Sequence, residues 1–81
     1  MKVRVKLFAV ARQRAGRDSV EVELPVAATV RQLRGALVEQ FPLLADVIPH
    51  VRFAVNSEYA ADASAIPAAA DVALIPPVSG G

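Results

Sequence analysis

The chain has no cysteine and no tryptophan, a single histidine, and only four glycines, two of which are its last residues. Without cysteine there is no disulfide, no thiolate nucleophile and no thiolate metal site. That composition suits a reducing cytoplasm. His50, flanked by a proline and standing before a strand pattern, reads as a loop histidine. No Ser-His-acid set, phosphate-binding glycine loop or metal-ligand cluster is visible, so an independent enzyme is not expected and no metal is assigned. The net charge of +1 gives no drive toward nucleic acid, and no basic-aromatic stripe supplies one locally. No apolar run approaches the length of a membrane span, and the N-terminus alternates charged and apolar residues where a secretory leader would be continuously apolar. No internal repeat or interdomain linker appears.

What remains is an 81-residue chain that is 54% apolar, enough for one small domain with its own core. Lys2-Val3-Arg4-Val5-Lys6-Leu7 alternates strictly and predicts a half-buried strand with Val3, Val5 and Leu7 inward. Phe8 falls on the charged face. It is either an anchor for a partner or is covered by the segment that follows. Residues 9–15 predict a short helix stopped by Gly16. Ser19-Val20-Glu21-Val22-Glu23-Leu24 alternates again. Its outward glutamates complement the outward cations of the first strand, which favours an antiparallel pair.

Thr29-x-x-Gln32 has the form of a capping box and opens a helix whose apolar stripe is Val30, Leu33, Leu37 and Phe41. Arg31, Arg34 and Glu39 fall away from that stripe. Gly35, costly in a helix interior, points to close packing of helix on sheet. Pro42 ends the helix, and a helical turn over residues 43–48 follows. Val51-Arg52-Phe53-Ala54-Val55 predicts a third strand, Asn56-Ser57 a turn, Tyr59 a short strand, and Val72-Ala73-Leu74-Ile75 the last strand. The Ala-rich stretch 60–70, interrupted by Ile66 and Pro67, reads as an anchored loop. Two strands, one amphipathic helix and three more strands make an α+β domain of helix on sheet.

Six of the nine basic residues, Lys2, Arg4, Lys6, Arg12, Arg14 and Arg17, lie in the first quarter of the chain. They form either a patch that steers an acidic partner or a solvated strand face with a basic loop. The functional stretch is expected at the other end, Ile75-Pro76-Pro77-Val78-Ser79-Gly80-Gly81. The prolines favour an extended path, and the glycines leave a slim tip next to the terminal carboxylate. Residues 76–81 span roughly 15–20 Å, enough to insert a carboxylate into a partner. Residues 1–75 are expected to be the folded domain and 76–81 a flexible functional tail. Ile75, outward beside the root of the tail, is a second anchor candidate.

Leu7-Phe8-Ala9 with the arginine-bearing segment to Gly16, Thr29-Val30-x-x-Leu33, Ala54-Val55-Asn56 and the Pro-Pro-Val-Ser-Gly-Gly ending together resemble the MoaD family, the small subunits of molybdopterin synthase. The resemblance spans the chain, and its specific part is the ending. One departure is that Ala70 precedes Asp71 where the family commonly has Gly-Asp before its last strand. The resemblance implies a ubiquitin-like β-grasp fold, a mixed sheet of about five strands on one main helix. It implies a sulfur carrier of molybdenum cofactor biosynthesis, a non-catalytic subunit active only with the large synthase subunit, in a heterotetramer of two small and two large chains. A ubiquitin-activating-type adenylyltransferase would join AMP to Gly81. A sulfur donor would then make a thiocarboxylate that supplies sulfur to a pyranopterin precursor. No cofactor would be bound permanently; the AMP adduct and the sulfur are transient. Gly81 would carry the sulfur, Pro76, Pro77, Val78, Ser79 and Gly80 would guide the tail, and Phe8, Tyr59 and Ile75 would anchor the large subunit. Alternatives are a carrier for thiamine, cysteine or tRNA thiolation, and a ubiquitin-like protein modifier.

Overall fold

In the structure, a computed structural model that describes residues 1–77, strand β1 (Lys2–Lys6) leads through helix α1 (Ala9–Ala15) to β2 (Ser19–Glu23). The main helix α2 (Val30–Gln40) follows, then single 3-10 turns at Pro42–Leu44 and Ile48–His50. Strands β3 (Arg52–Val55), β4 (Glu58–Ala60) and β5 (Val72–Ile75) complete the chain. The five strands form one sheet in the order β2-β1-β5-β3-β4. Only β1 and β5 run parallel; the other neighbours are antiparallel. The last strand therefore lies in the middle of the sheet, held on both sides, and its C-terminal end is the root of the expected tail.

The inward residues of the alternating strands are the core. Val3, Val5, Leu7, Val20, Val22 and Leu24 are buried, and Phe53 and Leu74 meet them from β3 and β5. From α2 come Val30, Leu33 and Leu37, the stripe read from the sequence. Phe41 stands just past the helix as its C-terminal cap residue and is half-buried. The charge complementarity of the hairpin is realised: Lys2 faces Glu23 and Arg4 faces Glu21 across the ladder, and the Lys2–Glu23 ion pair spans 4.0 Å.

The start of α2 leaves no amide orphaned. Gln32 N–H donates to Thr29 Oγ1 (3.3 Å), and Thr29 N–H donates to Gln32 Oε1 (2.8 Å), completing the capping box. Val30 N–H donates to the Ser64 carbonyl (3.0 Å) and Arg31 N–H to the Asp62 carbonyl (2.9 Å). The loop before β5 is thus anchored by the helix's own unpaired donors. Ile66 N–H donates to the Ala28 carbonyl (2.8 Å), and buried Ile66 seals that side of the core.

Two expectations are corrected. Gly35 is exposed, and a methyl group added there would touch nothing within 4 Å, so it does not mark close helix–sheet packing. Arg34 does not fall away from the core. Its guanidinium donates to Asp62 Oδ1 (3.0 Å) and to the Ile48 carbonyl (2.8 Å) and lies 5.0 Å over the Phe53 ring. One side chain thereby joins α2, the second 3-10 turn and the 61–66 loop.

The turn before β5 forms without glycine. Ala70 N–H donates to the Pro67 carbonyl (3.3 Å), and the strained residue is Ala69, with φ of 59°. Residues 25–28 repeat the arrangement, with Ala28 N–H on the Pro25 carbonyl (3.2 Å) and Ala27 at φ of 64°. In both, alanine occupies the third turn position with positive φ, where glycine is the unstrained residue. Asn56 and Ser57, at φ of 51° and 70°, make the tight β3–β4 hairpin.

Candidate functional site

The sheet has two unlike faces. Opposite the helix, the outward residues of the central strands form two rows, the second at the C-terminal end of β5. One row runs Lys6, Ala73, Ala54, Tyr59 in ladder register across β1, β5, β3 and β4. Two strand positions further toward the end of β5, Ile75 pairs with Arg52. Phe8 lies two residues beyond Lys6, where the β1–β5 ladder ends, and shares a depression with residues of β1, α1 and the start of β2. Phe8 has extended backbone (φ −135°, ψ 158°), and Ala9 at φ of 51° turns the chain sharply into α1.

Phe8 is 44% exposed and Tyr59 61% exposed, so α1 does not fold over Phe8 and both rings are presented to solvent. Ile75 is half-buried. Ala54 and Ala73 form a floor too short to fill the space between the larger side chains. Exposed aromatic residues on the sheet face that the helix leaves open are the kind of groups that partners cover. Pro76 follows the last ladder pair, where its missing N–H leaves nothing unpaired. It is half-buried, and Pro77 is exposed. Val78, Ser79, Gly80 and Gly81 lie outside the described residues.

The basic residues of the N-terminal quarter do not make one patch. Arg4, Lys6 and Arg12 surround a depression of about 270 Å³ beside Phe8, with Asp18 and Ser19 closing it and Arg12 at 3.8 Å from Asp18. Lys2 is committed to Glu23. Arg14 points elsewhere and grips Asp46 with one nitrogen on both carboxylate oxygens (2.7 and 2.6 Å). That hydrogen bond from Arg14, with its charge adding, holds the Asp46 carboxyl below its ordinary range. A depressed carboxyl favours the fold at neutral pH, and the contribution is lost as pH falls through the lowered value. Arg17 lines a separate apolar groove with Phe41, Pro42 and Leu43. Three cations, not six, therefore share a surface with Phe8.

Sequence reasoning did not single out Arg52. Its alternation placed it outward, but its role depends on β3 lying between β4 and β5. There its guanidinium sits 4.4 Å over the Tyr59 ring. Among the described residues no group of three or more His, Cys, Asp or Glu is placed to hold a metal ion. No helix there is long and apolar enough to cross a membrane.

A five-stranded mixed sheet with the first and last strands parallel at its centre and one long helix across it is the ubiquitin-like β-grasp. The chain belongs to the ThiS family, whose model matches residues 5–81. It is 35% identical over 81 residues to the molybdopterin synthase sulfur carrier subunit of Arabidopsis thaliana, covering all of this chain and 84% of the relative. Among solved structures it is similar to SAMP1 from Haloferax volcanii, with a TM-score of 0.85, 36% identity and all of both chains covered. A chain in the complex of subunits 1 and 2 of the molybdopterin-converting factor from Helicobacter pylori shares the fold, with a TM-score of 0.69, 18% identity and all of both chains covered.

Proposed function

We propose that this chain is a sulfur carrier of molybdenum cofactor biosynthesis, with residues 1–75 as the folded domain and 76–81 as the working tail. The observation that carries this reading is that the family match runs through to Gly81 in a chain without cysteine. Sulfur therefore has no thiol to ride on, and in this reading it is held on the carboxyl of Gly81, as the family resemblance implies. A carboxylate is ionised at neutral pH and is a poor electrophile, so it needs activation. A carboxylate oxygen of Gly81 attacks the α-phosphorus of ATP and pyrophosphate leaves. Sulfide, delivered by the sulfur donor, then attacks the acyl carbon, AMP leaves and the proton is lost to solvent, giving a thiocarboxylate. In the large synthase subunit that sulfur attacks a carbon of the pyranopterin precursor and displaces an oxygen substituent from it. Water then cleaves the acyl–sulfur bond of the resulting thioester, leaving the sulfur on the pterin and restoring the carboxylate. A dithiolene has two sulfurs, so two carriers are consumed per product.

In this reading Gly81 is the reacting residue and Gly80 keeps the tip narrow. Pro76, Pro77, Val78 and Ser79 lead it into the partner channel, and Phe8, Ile75 and Tyr59 seat the domain on the large subunit. The adenylyltransferase, the sulfur donor, the two-plus-two assembly and a cytoplasmic location belong to the same proposal. The test is the intact mass of the protein after incubation with ATP, a cognate adenylyltransferase and a sulfur source. We expect a gain equal to oxygen replaced by sulfur, localised by fragmentation to Gly81. Gly81→Ala should lose that gain while melting at the same temperature. Normal sulfur loading of Gly81→Ala would defeat the idea of a glycine-only channel.

A second reading is supported by the likeness to SAMP1, a small archaeal modifier protein. The same activated glycine would then be passed to a lysine amine, forming an isopeptide bond. Lysine-linked adducts in cells would favour this use of the tail.

A further inference from the structure

Arg52 stands apart from the other cations of the outer sheet face. Its guanidinium is stacked 4.4 Å over Tyr59, while its strand position pairs with Ile75, the last residue of β5. It belongs to none of the ion pairs among the described residues. The acids that border this face are elsewhere. Glu21 and Glu23 lie on the edge strand β2, Asp18 lies beside Arg12, and Glu58 and Asp71 flank the β3–β4 turn at the opposite end of β3. The end of the face where β5 finishes thus bears Ile75 paired with Arg52, which has no ion-pair partner among the described residues.

Stacking changes what that arginine offers. The ring lies against the guanidinium and restrains the side chain, while Arg52 stays exposed and its N–H groups donate to none of the described residues. An arginine so held has lost part of its rotamer freedom before any partner arrives, so less is lost on binding. Its fixed fork matches the two oxygens of a carboxylate. We infer that Arg52, held on Tyr59, is a specificity-determining contact that grips an aspartate or glutamate on the partner, at the rim of the pocket the tail enters. This inference rests on the proposed function and names the partner chemistry at that same surface. It also gives Tyr59 a second task, as the platform for Arg52 as well as a contact.

The test is the affinity of the large synthase subunit for the full-length carrier, at low and high salt, for wild type, Arg52→Lys, Arg52→Ala, Tyr59→Ala and the Arg52→Ala/Tyr59→Ala double variant. Arg52→Ala should weaken binding about tenfold at low salt and less at high salt. Arg52→Lys keeps the charge without the fork and should recover only a minor part. The effect of Arg52→Ala should shrink in the Tyr59→Ala background, because the two act as a pair. Melting temperatures check that these exposed substitutions leave the fold alone. Wild-type affinity in Arg52→Ala would overturn the inference, and wild-type affinity in Arg52→Lys would reduce it to simple charge. Failure of the wild-type chain itself to bind would overturn the proposed function, a result distinguishable from either.

Discussion

The two faces of the sheet are built from the same strands by the same alternation, yet one is buried under the helix and the other is open. On the helix side, every inward residue of β1 and β2 is buried, and Phe53, Leu74 and Leu33 are closed off completely. On the other side the same strands carry Lys6, Ala73, Ala54, Arg52 and Tyr59, with Phe8 and Ile75 at one end. Stability is concentrated on one face, and the exposed groups with chemistry to offer a partner lie on the other. Substitutions on the two faces should therefore move different observables, and the comparison fails wherever they do not.

The largest effect is expected from Phe53→Ala. It removes a fully buried ring that packs under the Arg34 guanidinium, and it should cost about 3–5 kcal/mol in chemical denaturation. Near-wild-type stability would mean that the core is not organised as described. Phe8→Ala is the counterpart on the outer face. It should leave the denaturation midpoint within experimental error while weakening the large subunit's affinity by about tenfold or more. A large loss of stability instead would place Phe8 with the core.

The smallest effects sharpen the comparison at the backbone. Gly35→Ala should stabilise the exposed middle of α2 by about 0.5–1 kcal/mol, since the added methyl meets nothing. Ala69→Gly should also stabilise, by about 0.5–1 kcal/mol, because it relieves positive φ despite the greater freedom of glycine when unfolded. Thermal melts of the two single variants and the double variant would check both signs, with partner affinity unchanged throughout.

Local signals in the sequence carried much of this architecture. Period-two alternation marked β1, β2 and β3 and their inward residues, because a strand exposes its pattern directly. Thr29 and Gln32 marked the start of α2 through a bond that closes within one turn. Relations between distant segments were not legible. Nothing in Val72-Ala73-Leu74-Ile75 says that it lies between β1 and β3, and that placement sets Ile75 opposite Arg52. Arg34 carries polar periodicity but reaches an acceptor supplied by residue 62, far along the chain. Gly35 looked like a packing device because glycine is informative only with its surroundings. Ala9, Ala27 and Ala69 hide their positive φ behind a residue type that gives no turn signal.

The most direct test of the whole account is a single-turnover reaction of the Gly81 thiocarboxylate with the large synthase subunit and a pyranopterin precursor. The account predicts that the thiocarboxylate returns to carboxylate as dithiolene appears, with two carriers consumed per product. It also predicts that Phe8→Ala and Arg52→Ala slow the reaction without unfolding the domain. Persistence of the thiocarboxylate with every component present, together with lysine-linked adducts when the adenylated chain meets cellular proteins, would contradict it. The same tail would then serve protein modification.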